Sequence, residues 1–79
     1  MFVYVLKSNK DGSFYIGKTK DVTVRLKQHN SGVNLSTKSR LPWELVMTEE
    51  YKSYSLATKR ERFLKSGSGR EVLGNLIQR

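Results

Sequence analysis

The 79-residue sequence predicts one small α/β domain, of the α+β kind, with strands and helices in the order ββαβαα. Two observations predict this class. Three short stretches are rich in β-branched and aromatic residues, as strands are, and three longer stretches combine helical apolar spacing with helix-capping signals. A chain of this length is enough for a single domain, which we place over residues 1–79, with one sheet and a few helices on it.

The N-terminal part of the chain predicts a β-hairpin. Residues 2–7, FVYVLK, have the composition of a strand. Asp11 and Gly12 form a strong turn signal because Gly12 tolerates a positive φ. Residues 13–17, SFYIG, are then the returning strand of the hairpin.

A helix, a loop and a third strand follow. Residues 21–32 predict a helix that Asp21 caps and Gly32 ends. Residues 33–42 are polar and basic, and they predict a loop. Residues 43–51 predict a strand that places alternate apolar side chains on one face. These side chains are Trp43, Leu45 and Met47.

Two helices complete the chain. Residues 53–67 predict a helix that Gly67 ends. Residues 68–79 predict another, which opens with the capping-box pattern of Ser68 and Glu71. The apolar stripe of the first consists of Leu56, Ala57, Phe63 and Leu64, and that of the second of Val72, Leu73, Leu76 and Ile77. The expected core includes Trp43, Phe63, Leu73 and Leu76.

The composition favours some classes of partner and excludes some kinds of site. Fifteen Lys and Arg residues against seven Asp and Glu give a formal net charge of +8, which suits a polyanion, and nucleic acid is the usual one. An acidic protein or a membrane surface is the alternative. The lack of cysteine excludes disulfides and thiolate zinc sites, and a single histidine excludes a His-rich metal site. Because the apolar runs are short and no signal peptide is recognisable, we expect a soluble cytoplasmic protein without a membrane partner.

Residues 12–19, GSFYIGKT, match the phosphate-binding loop pattern G-x-x-x-x-G-K-[ST]. Such a loop follows a parallel strand and keeps its backbone N–H groups free for phosphate. Here the middle residues are expected to pair in the hairpin, and the chain is too short for several parallel strands. We therefore predict no nucleotide cofactor, and Lys18 is expected to contact phosphate only as a single cation.

The same stretch carries a second pattern. VY at residues 3–4, then a turn, then YIG at residues 15–17 resemble the paired motif of the GIY-YIG nuclease superfamily. A helix with Arg25 and His29, a strand, and a helix with Glu61 follow in the same order. The resemblance covers essentially the whole chain. It implies a three-stranded antiparallel sheet flanked by helices, and Mg²⁺- or Mn²⁺-dependent cleavage of DNA that leaves 3′-hydroxyl and 5′-phosphate ends.

The sequence departs from the superfamily pattern in places. Phe2 stands where the first motif has glycine. The late asparagine of the superfamily is matched by Asn75. Target choice in the superfamily often comes from added domains, and none is predicted here, so we expect low intrinsic sequence specificity.

The two tyrosines lie on the two arms of the hairpin. If Tyr4 and Tyr15 point to the same face, their hydroxyls can converge on one phosphate; taken singly, they would be ordinary strand tyrosines. We assign Tyr4 to activating or orienting the attacking water, and Tyr15 to positioning the phosphate or sharing that task. A phenol has an ordinary pKa of about 10, and we expect Lys18 and Arg25 to lower it.

Arg25 and His29 are four residues apart and so share one helix face. Arg25 can bind a phosphate oxygen and stabilise charge in the transition state, or it is a solvated surface arginine. His29 is a candidate base, acid or phosphate contact, or a packed residue at the helix end.

Glu61 borders the apolar stripe of its helix. Mg²⁺ prefers hard oxygen ligands and keeps most of its waters, so one carboxylate and the substrate phosphate can suffice. The alternative is a surface ion pair with Lys65, four residues later. Asn75 is expected to hold a phosphate or to steady Glu61.

The other basic residues are expected to be solvated and to hold the DNA backbone without reading sequence. They are Lys38, Arg40, Lys59, Arg60 and Arg62, in addition to Lys18. We therefore predict a Mg²⁺-dependent DNA endonuclease of unknown oligomeric state. One alternative is a nucleic-acid-binding module of the same fold that does not cut, such as an accessory repair factor. A basic protein-interaction adaptor explains the charge but not the candidate site.

Overall fold

The computed structural model describes residues 1–77. Its elements are β1 (Phe2–Ser8), β2 (Phe14–Thr19), α1 (Val22–Asn30), α2 (Leu35–Lys38), β3 (Trp43–Glu50), α3 (Tyr54–Lys65) and α4 (Gly67–Ile77). The predicted order is confirmed, with one addition. The segment 33–42, predicted as a loop, contains the short helix α2, because the Asn34 side chain accepts a hydrogen bond from the Ser36 N–H and caps it. The last two residues of the predicted helix 68–79 lie outside the described residues.

The three strands form an antiparallel sheet in the order β2-β1-β3, so β1 is central and β2 is an edge strand. β1 and β2 form the predicted hairpin, and Gly12 in its turn has a φ of 76°. Tyr4 pairs with Gly17, and Leu6 pairs with Tyr15. Because alternate residues of a strand share a face, Tyr4 and Tyr15 point to the same side of the sheet.

A β-bulge changes the faces of β3. Leu6 pairs with Leu45. The preceding residue, Val5, pairs with Met47, two positions further along β3, which leaves one extra residue between the two pairs. Trp43 and Leu45 therefore share a face, whereas Met47 lies on the other. The prediction that all three share one face is wrong, because strict alternation does not survive an inserted residue.

Each face of the sheet has its own apolar core. On the first face, Tyr4, Leu6 and Trp43 pack against α1. The second face packs against α3 and α4, and its buried side chains are Val3, Val5, Ile16, Ala57, Leu64 and Leu73. The predicted core positions of Trp43 and Leu73 are confirmed. The sheet thus separates α1 from α3 and α4.

Some residues predicted to be buried are not. Phe63 is 38% exposed, Leu76 is 42% exposed and Leu56 is 46% exposed. On α3, Ala57 and Leu64 are seven residues apart and face the sheet. Each step along a helix turns about 100°, so the residues directly before them point sideways into solvent.

The turn between α3 and α4 is tighter than predicted. Ser66 ends α3, and its hydroxyl accepts a hydrogen bond from the Gly69 N–H in the first turn of α4. The prediction that Gly67 ends α3, and that Ser68 and Glu71 cap the next helix, is therefore wrong, since α4 already begins at Gly67. A side chain at Gly69 would collide with the backbone at the end of α3.

Candidate active site

Tyr4 lies at the centre of the candidate site and depends on a glycine in the neighbouring strand. A Cβ atom at Gly17 would stand 2.6 Å from the Tyr4 hydroxyl oxygen, closer than real Cβ contacts allow. Gly17 does not have a positive φ, so its role is to make space rather than to bend the backbone. The glycine of the YIG motif therefore leaves room for the phenol, which is 1% exposed.

The Tyr4 hydroxyl joins a chain of polar side chains. Its Oη lies 3.0 Å from Nε2 of His29, and Nδ1 of His29 lies 3.0 Å from Oγ1 of Thr37. Nε of Arg25 donates a longer hydrogen bond of 3.4 Å to the same Tyr4 oxygen. Arg25 and His29 both come from α1 and share a face, as predicted. His29 and Thr37 are fully buried.

The partners of Thr37 assign the protons along this chain. The Thr37 hydroxyl donates its one hydrogen to the Asn34 carbonyl oxygen over 3.3 Å. Its oxygen then accepts the hydrogen of His29 Nδ1. In neutral His29 the other nitrogen, Nε2, is an acceptor, so the Tyr4 hydroxyl donates to it. His29 is therefore placed to receive the Tyr4 proton.

Burial controls the protonation of both groups. It lowers the pKa of His29 below its ordinary value of 6.5, and the charge of Arg25 lowers this pKa further. It also raises the pKa of Tyr4 above the ordinary 10.0, although the hydrogen bond from Arg25 opposes this. Arg25 does lower the Tyr4 pKa, as expected, but desolvation outweighs it, so the expected net lowering of this pKa is wrong. At neutral pH a protonated phenol thus faces a neutral imidazole.

Tyr15 lies beside this chain on the same face. Its ring centroid is 4.7 Å from that of His29 and 6.3 Å from that of Tyr4. It also meets the Trp43 ring edge-on at 6.1 Å. Tyr15 is only partly buried, so of the two tyrosines it is the one more open to solvent.

Glu61 approaches β2 from the opposite side of the sheet. Its Oε1 accepts a hydrogen bond of 2.7 Å from Lys18 Nζ, and its Oε2 accepts one of 3.1 Å from Lys65 Nζ. Burial raises the Glu61 pKa, but the hydrogen bonds from the two lysines outweigh it and hold the pKa below 4.5. The negative charge of Glu61 contributes to the raised pKa of Tyr4. The two groups therefore interact although they approach the sheet from opposite faces.

The surface ion pair that was the alternative at Glu61 is therefore present, with a second lysine added. Lys18, which was expected to be a single cation for phosphate, is engaged with Glu61 and also lies 5.0 Å from the Tyr54 ring centroid. The middle of the GSFYIGKT segment is strand, as predicted, and it pairs with β1.

Glu61 fits a magnesium ion that is held mainly by substrate and water. Within residues 1–77 no three His, Cys, Asp or Glu side chains come together as a metal cage. Mg²⁺ does not require one, since it commonly binds one or two carboxylates together with substrate phosphates. Glu61, an ionised carboxylate that is 13% exposed at the rim, is of the ligand type that Mg²⁺ takes. An ion there would replace one or both lysine contacts.

Other predicted site residues lie apart from this cluster. Asn75 is exposed on α4, and in the described part of the chain Glu61 takes its side-chain hydrogen bonds from the two lysines and not from Asn75. Lys38, Lys59 and Arg62 are exposed, as predicted.

Two arginines that were expected to be solvated are held by the fold. Arg60 binds both carboxylate oxygens of Glu49, at 2.9 and 3.1 Å. Arg40 donates to Ser13 Oγ and to the Ser36 carbonyl oxygen, and its guanidinium lies 5.0 Å from the Trp43 ring centroid. Their charge remains, but their side chains also have structural contacts.

Sequence reasoning missed Thr37. It lies in the segment predicted as a loop, and α2 carries it to His29. The indole N–H of Trp43 donates a hydrogen bond of 3.0 Å to the backbone carbonyl oxygen of Thr37 and so holds α2 in place. The cap residue Asn34 was a signal for the helix, but nothing in the local sequence indicated the contact with His29.

The sequence of this chain matches a known protein family. The model of the GIY-YIG catalytic domain matches residues 1–73. The chain belongs to the GIY-YIG nuclease family. The resemblance seen in the sequence is thereby confirmed, and so is the three-stranded antiparallel sheet it implied.

Relatives match this GIY-YIG chain over nearly its whole length. A UPF0213 protein of Staphylococcus epidermidis is 45% identical over 73 residues, which cover 91% of this chain and 88% of that protein. A UPF0213 protein of Listeria welshimeri is 42% identical over 79 residues, or 99% of this chain and 87% of that protein. The solution NMR structure of a UPF0213 protein from Bacillus halodurans has 38% identity and a TM-score of 0.58, and covers 95% of this chain and 82% of its own. These names state no activity.

Within residues 1–77, the GIY-YIG domain has no helix with the length and apolar character needed to span a membrane.

Proposed function

We propose that this GIY-YIG protein is a metal-dependent DNA endonuclease with low intrinsic sequence specificity. The observation that carries the proposal is the chain of hydrogen bonds from Arg25 through Tyr4 and His29 to Thr37. It joins a proton donor, a neutral acceptor and a cation at one point of a protein with a net charge of +8. Phosphodiester hydrolysis needs these three functions, namely a route for the proton of water, an acceptor for it and a charge for the phosphate.

The proton route runs through the phenol. Tyr4 passes its hydroxyl proton to Nε2 of His29 and takes a proton from the attacking water. The water oxygen forms a bond to phosphorus, the bond to O3′ breaks, and the departing oxygen takes a proton from solvent. The products are 3′-hydroxyl and 5′-phosphate ends. Thr37 is a positioning residue, because it holds the tautomer of His29 that can accept.

Arg25 is the side chain that can change partners when substrate binds. Its bond to Tyr4 is long, at 3.4 Å, and its guanidinium is partly exposed. A phosphate oxygen offers a shorter, charge-assisted hydrogen bond in its place. We therefore assign Arg25 to the scissile phosphate and Tyr15, on the same face, to its orientation.

Glu61 is the residue that would hold Mg²⁺ or Mn²⁺. When bound, the ion would polarise the phosphate and stabilise negative charge in the transition state. Lys18 and Lys65 neutralise the carboxylate in its absence. Exposed cations such as Lys38 and Arg62 would bind the DNA backbone and add to the affinity for DNA.

A plasmid nicking assay tests the proposal. Supercoiled DNA is incubated with purified protein and Mg²⁺, with Mn²⁺, or with EDTA. We expect nicked circles with either ion and none with EDTA. DNA that stays supercoiled in all three samples, although the protein binds it, contradicts the proposal.

One observation favours the second candidate, a DNA-binding module that does not cut. Both oxygens of Glu61 are already occupied by lysine ammonium groups, as expected if the pair were purely structural. Binding without nicking in the same assay would identify this function. In either case the affinity should fall with salt, by about 0.9 log units per log unit of salt for each phosphate contact.

A further inference from the structure

A cavity of about 440 Å³ lies on the face of β2 away from the tyrosines. Its lining residues are Ser13, Phe14, Ile16, Arg40, Arg70 and Leu73. This volume is within the usual range of small-ligand sites, about 300–1,000 Å³. None of the described lining residues is acidic, and the proton and phosphate chemistry above uses none of them.

The lining combines three kinds of group. Ile16 and Leu73, which belong to the apolar core, form the floor. Phe14 is 39% exposed, although it lies in a strand next to this core. Arg40 and Arg70 supply two positive charges at the rim. An exposed aromatic ring beside guanidinium groups suits a flat base, which stacks on the ring, and a phosphate, which binds the charges.

Hydrogen bonds hold the guanidinium group of Arg40 in one position. Its Nη1 donates to Ser13 Oγ over 3.1 Å, and the Ser13 hydroxyl gives its own hydrogen to Asp11 Oδ1 over 2.7 Å. The guanidinium is therefore held against Ser13, a residue of the cavity wall, before any ligand arrives. Arg70 is exposed on α4 and faces the same cavity from the other side.

The cavity and the candidate active site are joined through the edge strand. Phe14 and Tyr15 are adjacent in β2, and their side chains point to opposite faces. Glu61 approaches β2 from the same face as the cavity, so DNA whose scissile phosphate lies at the candidate active site can place a neighbouring nucleotide in the cavity. A base inside a duplex is stacked on both sides, so only an unpaired base can place its face on Phe14.

We propose that this cavity binds one unpaired nucleotide of the DNA substrate, with the base on Phe14 and the phosphate between Arg40 and Arg70. The proposal builds on the proposed function, because it names the substrate class of the same enzyme: DNA with a single-stranded segment next to the scissile phosphate.

The test uses binding in EDTA, so that cleavage plays no part. The probe is a short single-stranded oligonucleotide with one 2-aminopurine, whose fluorescence falls when it stacks on an aromatic ring. We expect quenching with the wild-type protein. Phe14→Ala should bind about fivefold to a hundredfold more weakly, the effect of one stacked base. Phe63→Ala is the matched control, since Phe63 is about equally exposed, at 38%, but lies on α3 and does not line the cavity.

Three further comparisons complete the test. Phe14→Leu keeps the apolar volume and should fold, yet should lose the quenching. Arg70→Ala should weaken binding more than Lys52→Ala, which removes an exposed cation that does not line the cavity. A duplex with a single-stranded flap should bind more tightly than a blunt duplex, and Phe14→Ala should remove this preference.

Several outcomes would overturn the proposal. They are equal binding by Phe14→Ala and Phe63→Ala, equal affinity for flap and blunt duplex, or displacement of the oligonucleotide by the same concentration of dAMP, which would indicate a site for free nucleotides. The proposed cleavage activity is judged separately, by nicking of the plasmid and by cutting of the flap DNA with Mg²⁺ or Mn²⁺. Quenching without cleavage of either DNA would reject the nuclease and keep the pocket, and cleavage without quenching would do the reverse.

Discussion

The hydroxyl of Tyr4 lies 3.0 Å from Nε2 of His29, and both side chains are buried. They are 25 residues apart in the chain, and the packing of α1 on β1 brings them together. Because burial keeps the imidazole neutral and the phenol protonated, the phenol is the donor and the imidazole the acceptor of any proton that passes between them.

Removal of this hydroxyl should stop cleavage. In Tyr4→Phe the ring still fills its place, but no group remains to pass the proton of water to His29. We expect plasmid nicking to fall by about 10²–10⁴, the usual contribution of a positioned acid or base. Loss of a partner for the buried His29 nitrogen should cost about 1–3 kcal/mol of unfolding free energy. Both quantities can be measured on the same preparation.

Tyr51→Phe is the matched control for this prediction. The Tyr51 hydroxyl also donates a hydrogen bond, 2.9 Å long, to Glu49, but it lies at the end of β3. This variant should nick DNA at the wild-type rate. Equal loss of nicking in both variants would attribute the effect to stability and contradict the role of Tyr4.

Gly17 should tolerate no side chain. In Gly17→Ala the new Cβ would stand 2.6 Å from the Tyr4 hydroxyl oxygen, so the phenol must move away from His29. We expect a loss of about 1–3 kcal/mol in unfolding free energy, as in other overpacked cores, and a large loss of nicking. Urea unfolding and the nicking assay measure the two effects.

Gly74→Ala serves as the comparison for Gly17→Ala. Gly74 lies in α4, and a Cβ there would meet nothing within 4 Å. Because alanine favours helix over glycine, this variant should gain up to about 1 kcal/mol and keep its activity. Normal activity in Gly17→Ala would show that the Tyr4 position is not needed.

Acid should destabilise the protein through its one histidine. The pKa of His29 is lower in the folded protein than the ordinary 6.5, so below that pH the unfolded chain binds a proton that the folded one excludes. The free energy of unfolding should therefore be highest above pH 6.5 and fall as the pH drops toward the folded pKa. The groups around the ring do not titrate here, since Arg25 stays charged and Tyr4 stays neutral.

Urea unfolding at a series of pH values between about 5 and 7 checks this prediction. His29→Gln should remove the slope in this range. The lowered pKa of Glu61 adds its own loss of stability only as the pH falls below about 4.5, outside the window. A wild-type stability that stays level from pH 7 to 5 would contradict the prediction.

Glu61→Gln should abolish cleavage and leave the fold and DNA binding intact. The change keeps the size of the side chain but removes the charge that would hold the metal ion. Since the metal would contribute several kcal/mol to the transition state, the rate should fall by a factor of hundreds or more. Mn²⁺ binding to the protein–DNA complex, followed by calorimetry, should be lost together with nicking, while DNA affinity should stay equal or rise.

Arg62→Ala is the control on the same helix. Arg62 lies one position after Glu61, turned about 100° around α3 and exposed, so the variant should retain metal binding and, at protein concentrations that saturate the DNA, nicking. Near-wild-type cutting by folded Glu61→Gln would remove Glu61 from the site and leave the ion pairs with Lys18 and Lys65 as its role.

Local sequence predicted the elements and much of the candidate site. The hairpin, the Asp21 cap of α1 and the common face of Tyr4 and Tyr15 follow from turn signals and from the two-residue period of a strand. The spacing of Arg25 and His29 likewise placed them on one helix face. These features depend on neighbours within one or two turns, which the sequence displays directly.

Contacts between distant segments decided the rest. The bulge in β3 arises from its pairing with β1, and it moved Met47 to the other face from Trp43. Likewise, Lys18 and Glu61 are 43 residues apart, and only the packing of α3 against β2 joins them.

The sequence by itself therefore determined which strands and helices form, and which side chains each of them turns to a common face. The tertiary structure decided their chemistry. The chain alone shows His29 as a titratable residue with an ordinary pKa, but burial against Tyr4 and Thr37 makes it neutral and selects its tautomer. The physical reason is that periodicity is a property of the local chain, whereas desolvation and hydrogen-bond direction depend on what the fold places around a group.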